Sequence, residues 1–224
     1  MKTFFITATG TAIGKTYVTA SLAAALSDNG RSVRVLKPII TGFADNAPED
    51  SDTAHLLHSL EQSLTPETID ACSPWRFPEP LSPDMAARRE GRSIDFTALV
   101  NFCRDAQSGS EDILLIEGIG GAMVPLNDSY TVLDWMEALT APALVITGSY
   151  LGTLSHTLTT VAAIQERNIL IAGIVVVESE DSPVPLNETV NTMERFLTGV
   201  PLASLVRGDE KSTDLAKLRD LIRE

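Results

Sequence analysis

The sequence predicts an α/β fold in which a mostly parallel central sheet carries helices on both faces. Three observations predict it. Strand-length apolar runs alternate with helix-forming stretches throughout the 224 residues, the pattern of linked strand–helix–strand units. Ile113-Leu114-Leu115-Ile116 is four aliphatic residues in succession, and Ala143 to Ile146 is a second such run, as expected of strands buried on both faces. Glycines and polar residues come directly after these runs, so the residues able to meet a ligand gather at the carboxyl ends of strands. No linker-like break, internal repeat or low-complexity tract divides the chain, and residues 1–224 read as a single domain.

The first strand, around Phe4-Phe5-Ile6, passes through small residues into Gly14-Lys15-Thr16 and then into the helix-forming run Val18 to Leu26. A strand, a small-residue loop and a helix opening on Gly-Lys-Thr form the layout of a phosphate-binding P-loop, which makes the expected fold P-loop NTPase-like. Backbone N–H groups at such a helix start point at an anion, and the helix dipole adds partial positive charge. Ala12, Ile13, Gly14, Lys15, Thr16 and Tyr17 are therefore expected to hold nucleotide phosphates. Lys15 would reach the β- and γ-phosphates and the Thr16 hydroxyl would meet Mg²⁺. The usual pattern places a first glycine five positions before Gly14; here that position is Thr9, with Gly10 one residue later. Taken alone, these residues are also compatible with an ordinary strand-to-helix turn.

The first helix is expected from Lys15 to Ser27, closed by Asn29-Gly30. Val33 to Leu36 then reads as a second strand parallel to the first, stopped by Lys37-Pro38. Lys37 and the P-loop share one sheet edge, and two lysines there suit an anionic ligand. Gly42 to Asp52 is a polar loop, and Thr53 to Glu61 a short helix capped by Ser51 or Asp52. Asp52 is thus either a cap or a carboxylate beside Mg²⁺. Leu64 to Pro83 holds five prolines with Trp75 and Phe77 among them, and reads as an ordered but irregular cover. Met85 to Arg89 is a helical turn or two, and Asp95 to Ala106 an amphipathic helix burying Leu99, Val100 and Cys103.

Ile113 to Ile116 ends in Glu117-Gly118-Ile119-Gly120-Gly121. A carboxylate at a strand end, one strand from a P-loop, is placed to hold Mg²⁺, and the glycines let backbone approach a ligand. The alternative for Glu117 is a strand-end residue that caps the next segment. Ala143 to Thr147 is a further strand, Leu154 to Gln165 its helix, and Ile169 to Val177 a long apolar strand. Asn187 to Leu197 is helical, Leu202 to Leu205 a short strand and Asp214 to Arg223 a last helix.

A net charge of −13 argues against nucleic-acid binding, which needs clustered Lys and Arg. Cys72 and Cys103 lack metal-like spacing and read as reduced thiols, and His55 and His58 lack a third ligand. Neither a secretory signal nor a membrane-length apolar run is seen, which makes the cytoplasm the expected location.

With these residues in place, the chain resembles the dethiobiotin synthetase family over most of its length. The motifs are Thr-x-Thr-x-x-Gly-Lys-Thr (Thr9 to Thr16), Lys-Pro-x-x-Thr-Gly (Lys37 to Gly42), Ser51-Asp52, Phe-x-Glu-Pro-x-Ser-Pro (Phe77 to Pro83), Glu-Gly-x-Gly-Gly (Glu117 to Gly121) and Leu-Gly-Thr-x-x-His-Thr (Leu151 to Thr157). The resemblance implies a MgATP-dependent ligase that captures CO₂ on an amine of 7,8-diaminopelargonate, phosphorylates the carbamate and closes a cyclic urea. It implies catalytic roles for Lys37, Lys15 and Thr11, and Mg²⁺ on Thr16, Asp52 and Glu117. It further implies that Thr41, Gly120 and Gly121 position the diamine, and that the chain is a homodimer in which Leu151 to Ser155 contacts the partner's substrate. Several positions depart from common family residues: Ala8, Ala12, Asp84, Tyr150, Ser155 and the stretch Val177-Glu178, which lacks the asparagine with which some members read adenine. These departures leave open a ligase for another small amine. A nucleotide switch of the partition or septum-site type is the alternative of another class, but the extra lysine of those proteins would fall at Gly10.

Overall fold

The computed structural model describes residues 1–180 and 182–207. Eight strands and eight α-helices are interspersed through these residues. They are β1 (Lys2–Ala8), α1 (Lys15–Ser27), β2 (Val33–Leu36), β3 (Ile39–Thr41), α2 (Asp52–His58), α3 (Pro66–Cys72), β4 (Trp75–Phe77), α4 (Pro83–Arg89), α5 (Phe96–Gln107) and β5 (Ile113–Glu117). They continue with α6 (Val132–Leu139), β6 (Ala143–Gly148), α7 (Thr153–Glu166), β7 (Ile171–Val177), α8 (Leu186–Phe196) and β8 (Leu202–Leu205). The expected helix Asp214 to Arg223 lies outside the described residues.

Six strands form one sheet in the order β2-β5-β1-β6-β7-β8, with every pairing parallel. β1 and β2 are parallel as expected but are not neighbours, because β5 inserts between them. Both faces are covered, and side chains along each strand alternate between them. Phe5, Leu114, Ile116, Val145 and Ile174 join the core that contains Trp135 and Met136. Phe4, Ile6, Ile113, Leu115, Ile146 and Val177 join the opposite core with Val18 and Leu22 of α1. The rings of Phe5 and Trp135 meet edge to face at 4.8 Å.

Leu64 to Pro83 is more regular than its prolines suggest. Pro66 occupies the start of α3, where the missing N–H costs nothing, behind a reciprocal cap between Thr65 and Thr68. Trp75 to Phe77 pairs in parallel with Ile39 to Thr41 as a separate two-stranded sheet. Short edge strands tolerate flanking prolines, as the strand interior here contains none. The segment is tied to the chain after β2, since the Lys37 N–H donates to the Cys72 carbonyl and the Trp75 N–H to that of Pro38. None of its residues lines the cavity at the head of α1, so it does not form the expected cover there. Helix α6, which carries Trp135, lies in a stretch without an expected element. Its Thr131–Asp134 capping box is a local signal that could have revealed it. No helix among the described residues is long and apolar enough to cross a membrane.

Candidate active site

The period-two alternation of the sheet aims the key side chains. Glu117 lies two residues beyond Leu115 and Lys37 two beyond Val35, so both project to the face that packs against α1. Glu117 pairs in register with Ile6 of β1, which places it beside the loop leading to Thr16. β2 also pairs with β5, which brings Lys37 to the same place.

The loop from Thr9 to Gly14 turns through two left-handed residues, Ala12 at φ 57° and Gly14 at φ 95°. Gly14 can hold that conformation without strain, whereas Ala12 cannot do so freely, and such local strain is common at sites that bind ligands. Gly14 caps α1 without a side-chain hydrogen bond, leaving the helix's first N–H groups free for an anion.

Four side chains converge at the head of α1. The Lys37 ammonium is 2.6 Å from Glu117 Oε1 and 2.9 Å from Asp52 Oδ2. The Thr16 hydroxyl donates to Glu117 Oε1 at 2.8 Å. Lys37 and Glu117 are buried, while Asp52 is half-exposed. Ser51, not Asp52, caps α2: its Oγ accepts the Ala54 N–H at 3.1 Å and donates to the Pro48 carbonyl. That leaves the Asp52 carboxylate free to turn toward Lys37.

The charges are tightly coupled. Burial, then the neighbouring Lys37 charge, lowers Lys15 from its ordinary 10.5 to about 8, against the opposing pull of Glu117 and Asp52. Burial pulls Lys37 the same way, but contact with Glu117 and Asp52 outweighs it and holds Lys37 above the ordinary lysine value. Burial would raise Asp52, yet the Lys37 charge and hydrogen bond bring it below the ordinary carboxylate range.

A cavity of about 450 Å³ opens over this cluster. Thr11, Ala12, Gly14, Lys15, Thr16, Tyr17, Lys37, Thr41, Asp52 and Gly120 line it. Glu117 lies beneath, reached through Thr16 and Lys37. Ile40, Ile119 and Arg207 complete the walls and were not expected from sequence, while Val177 belongs to the Val177-Glu178 stretch at which the family resemblance places adenine reading. Ile40 and Ile119 neighbour expected residues, but a lone apolar wall residue carries no local signature. Other expected residues lie elsewhere. Ile13 lines an adjoining cavity of about 510 Å³ with Thr9, Gly10, Tyr150 and His156. Gly121 backs the loop: an added Cβ would come within 3.4 Å of Ala8 O and Gly10 N. Leu151 and Ser155 are exposed at the start of α7, outside both cavities.

The donor set also suits a metal ion. Glu117 Oε2 is buried without a hydrogen-bond partner among the described residues, a costly state for a carboxylate oxygen unless a cation meets it. With Asp52 and the Thr16 hydroxyl it forms an oxygen set fit for Mg²⁺, which needs one or two carboxylates when phosphates and water complete its shell.

Comparison with known proteins shows what the chain is similar to in sequence and in fold. The sequence profile described as "AAA domain" matches residues 2–210. The chain is 43% identical over 202 residues to the ATP-dependent dethiobiotin synthetase BioD of Acidiphilium cryptum, covering 90% of this chain and 91% of the relative. It is 43% identical over 213 residues to the protein of the same name from Methylobacterium nodulans, covering 93% and 94%. It is 36% identical over 202 residues to that of Bacillus subtilis, covering 90% and 85%. Among solved structures, the cell division ATPase MinD of Pyrococcus furiosus superposes with a TM-score of 0.57 at 18% identity, covering 99% of this chain and 98% of that one. That likeness concerns the fold.

Proposed function

Because the chain belongs to the ATP-dependent dethiobiotin synthetase family, we propose that it is a MgATP-dependent carbon–nitrogen ligase that closes 7,8-diaminopelargonate and CO₂ into the cyclic urea of dethiobiotin. The observation that carries the reading is the convergence of Lys15, Thr16, Lys37, Asp52 and Glu117 on one cavity at the carboxyl edge of the sheet. A site that joins a triphosphate to a carbamate must gather anions, and these residues offer cations, a hydroxyl and metal-type carboxylates in one place.

In this reading the N–H groups of Ala12 to Tyr17 cradle the phosphates, and Lys15 neutralises charge at the transferring group. Thr16, Asp52 and Glu117 would hold Mg²⁺, which supplies charge neutralisation at the phosphates when bound. Lys37 stabilises the carbamate anion and the charge that builds as it is phosphorylated. Thr11, beside Gly120 in the cavity wall, donates a hydrogen bond to the reacting groups. Thr41 and the backbone around Gly120 and Gly121 orient the diamine, so that the second amine attacks the mixed anhydride intramolecularly and releases phosphate. Leu151 and Ser155, exposed and away from this cavity, fit the role of contacting a partner's substrate in a homodimer. The chain acts as one domain in the cytoplasm, on small molecules, without nucleic acid or membrane.

The test is nucleoside diphosphate release from MgATP and bicarbonate with and without 7,8-diaminopelargonate. Diamine-dependent release with a cyclic urea seen by mass spectrometry is the expected outcome. Release indifferent to the diamine would overturn this reading in favour of another amine or of a switch.

A further inference from the structure

Thr9 stands where the usual P-loop pattern carries glycine, and its side chain is engaged. Its Oγ1 lies 3.1 Å from Thr147 Oγ1 and 3.4 Å from the Tyr150 hydroxyl. Thr147, fully buried near the end of β6, also meets Thr153 Oγ1 at 2.9 Å and Thr157 Oγ1 at 2.9 Å. The Tyr150 hydroxyl in turn lies 2.9 Å from His156 Nδ1.

Counting protons gives this cluster a direction. Thr153 Oγ1 donates its one proton to the Gly148 carbonyl at 2.6 Å, so it can only accept from Thr147. Thr147 has then spent its proton and must accept from both Thr9 and Thr157. Its donor and both lone pairs are filled. Thr9, having donated to Thr147, faces Tyr150 as an acceptor. When Tyr150 donates to it, Tyr150 accepts from Nδ1–H of His156. A single chain of hydrogen bonds thus runs from α7 through the first residue of the loop and back to the end of β6. The Thr9 N–H also donates to the Ile146 carbonyl at 3.0 Å, so backbone and side chain tie the loop to the same strand.

We propose that Thr9 and Thr147 are positioning residues whose hydroxyl chain locks the phosphate loop onto β6 and the first turn of α7. Neither residue lines the 450 Å³ cavity, so they act through the loop residues that do. Buried hydroxyls bonded in series polarise one another, and removing the shared member leaves several unpaired at once. The loop is thereby held before ligand arrives, at the point where a glycine would leave it loose. This inference rests on the reading that the loop binds MgATP.

The experiment compares MgATP dissociation constants and melting temperatures of the wild type, Thr147→Val, Thr147→Ser and Thr157→Val. Thr157 shares the Thr147 hydroxyl but makes no direct hydrogen bond to the loop among the described residues, so its variant separates a general loss of packing from a loss of loop position. Thr147→Val is expected to weaken MgATP binding about tenfold, as one or two lost hydrogen bonds would. Thr147→Ser should restore affinity to within about twofold, and Thr157→Val should lower the melting temperature while keeping affinity. Unchanged affinity in Thr147→Val, or equal weakening in Thr157→Val, would overturn the inference while leaving the nucleotide reading intact. A wild type that binds no MgATP would overturn both. Should Thr147→Val not fold, Tyr150→Phe applies the test from the other side of Thr9: weakening of about twofold or more supports the inference and no change overturns it.

Discussion

The Lys37 ammonium touches Glu117 Oε1 at 2.6 Å in a site where both side chains are buried. Glu117 ends β5 and Lys37 directly follows the adjacent parallel strand β2, 80 positions away in the chain. Asp52 closes the cluster from α2 at 2.9 Å. Two carboxylates therefore face one fully engaged lysine, while Lys15 is pushed toward neutrality nearby.

Replacing Lys37 tests its role most directly. Lys37→Met keeps the bulk of the stem and removes the charge. Turnover is expected to fall by about two to three orders of magnitude, the usual consequence of losing one stabilising donor at a developing charge. The melting temperature should fall as well, because Glu117 stays buried with a partner missing. Steady-state rates of diamine-dependent phosphate release check the first claim, and near-normal turnover would remove Lys37 from the mechanism.

Glu117→Gln keeps the shape and removes the charge that faces Lys37 and Thr16. Its expected signature is a rightward shift of the Mg²⁺ titration of about tenfold or more, in line with loss of one oxygen ligand. An unchanged titration would reduce Glu117 to a partner of Lys37.

Ser51 and Asp52 separate structure from chemistry at adjacent positions. Ser51→Ala removes the α2 cap and should cost about 1 kcal/mol of stability with little effect on turnover. Asp52→Asn should do the reverse, sparing the fold and lowering MgATP-dependent turnover. Denaturant melts run beside rate measurements distinguish the two, and a mirrored pattern would reassign both residues.

The lowered Lys15 carries a pH dependence. Its folded value of about 8 lies below the 10.5 of the unfolded chain, so the unfolded chain binds more protons between those limits. The Lys15 contribution to stability therefore rises with pH across that window, and Lys15→Met should flatten the slope. A triphosphate beside Lys15 favours its charged form, so MgATP binding at about pH 9 should take up a proton. Calorimetry in two buffers of different ionisation enthalpy measures that uptake; the same apparent enthalpy in both would refute it.

Gly120 has φ 59°, and an added Cβ would stand 2.7 Å from Val124 Cγ2. Gly120→Ala should destabilise the fold by about 1–3 kcal/mol and reshape the cavity wall beside Thr11. Thermal melting and the diamine KM report the two effects separately.

How much of this was legible before folding varies by residue. The strand–loop–helix around Gly14-Lys15-Thr16 and the continuous strand ending in Glu117 were readable because local periodicity and composition encode them. Their side of the sheet was not readable, because a run of aliphatic residues buried on both faces shows no alternation; that Glu117 and Lys37 share the α1 face with Leu115 and Val35 came from the packing of the folded chain. Helix α3 was misread because proline is a breaker inside a helix but a good first residue, and only the Thr65–Thr68 cap distinguishes the cases.

Local pattern determined which residues could stand at the carboxyl edge of a parallel sheet. Only the tertiary structure decided which of them stand side by side. Inserting β5 between β1 and β2 put Glu117 against both Thr16 and Lys37. The approach of β6 to β1 set Thr147 on Thr9 across 138 positions. Strand order and hydroxyl contacts of that span depend on how crossover helices cover the two faces, and no window of sequence contains that information.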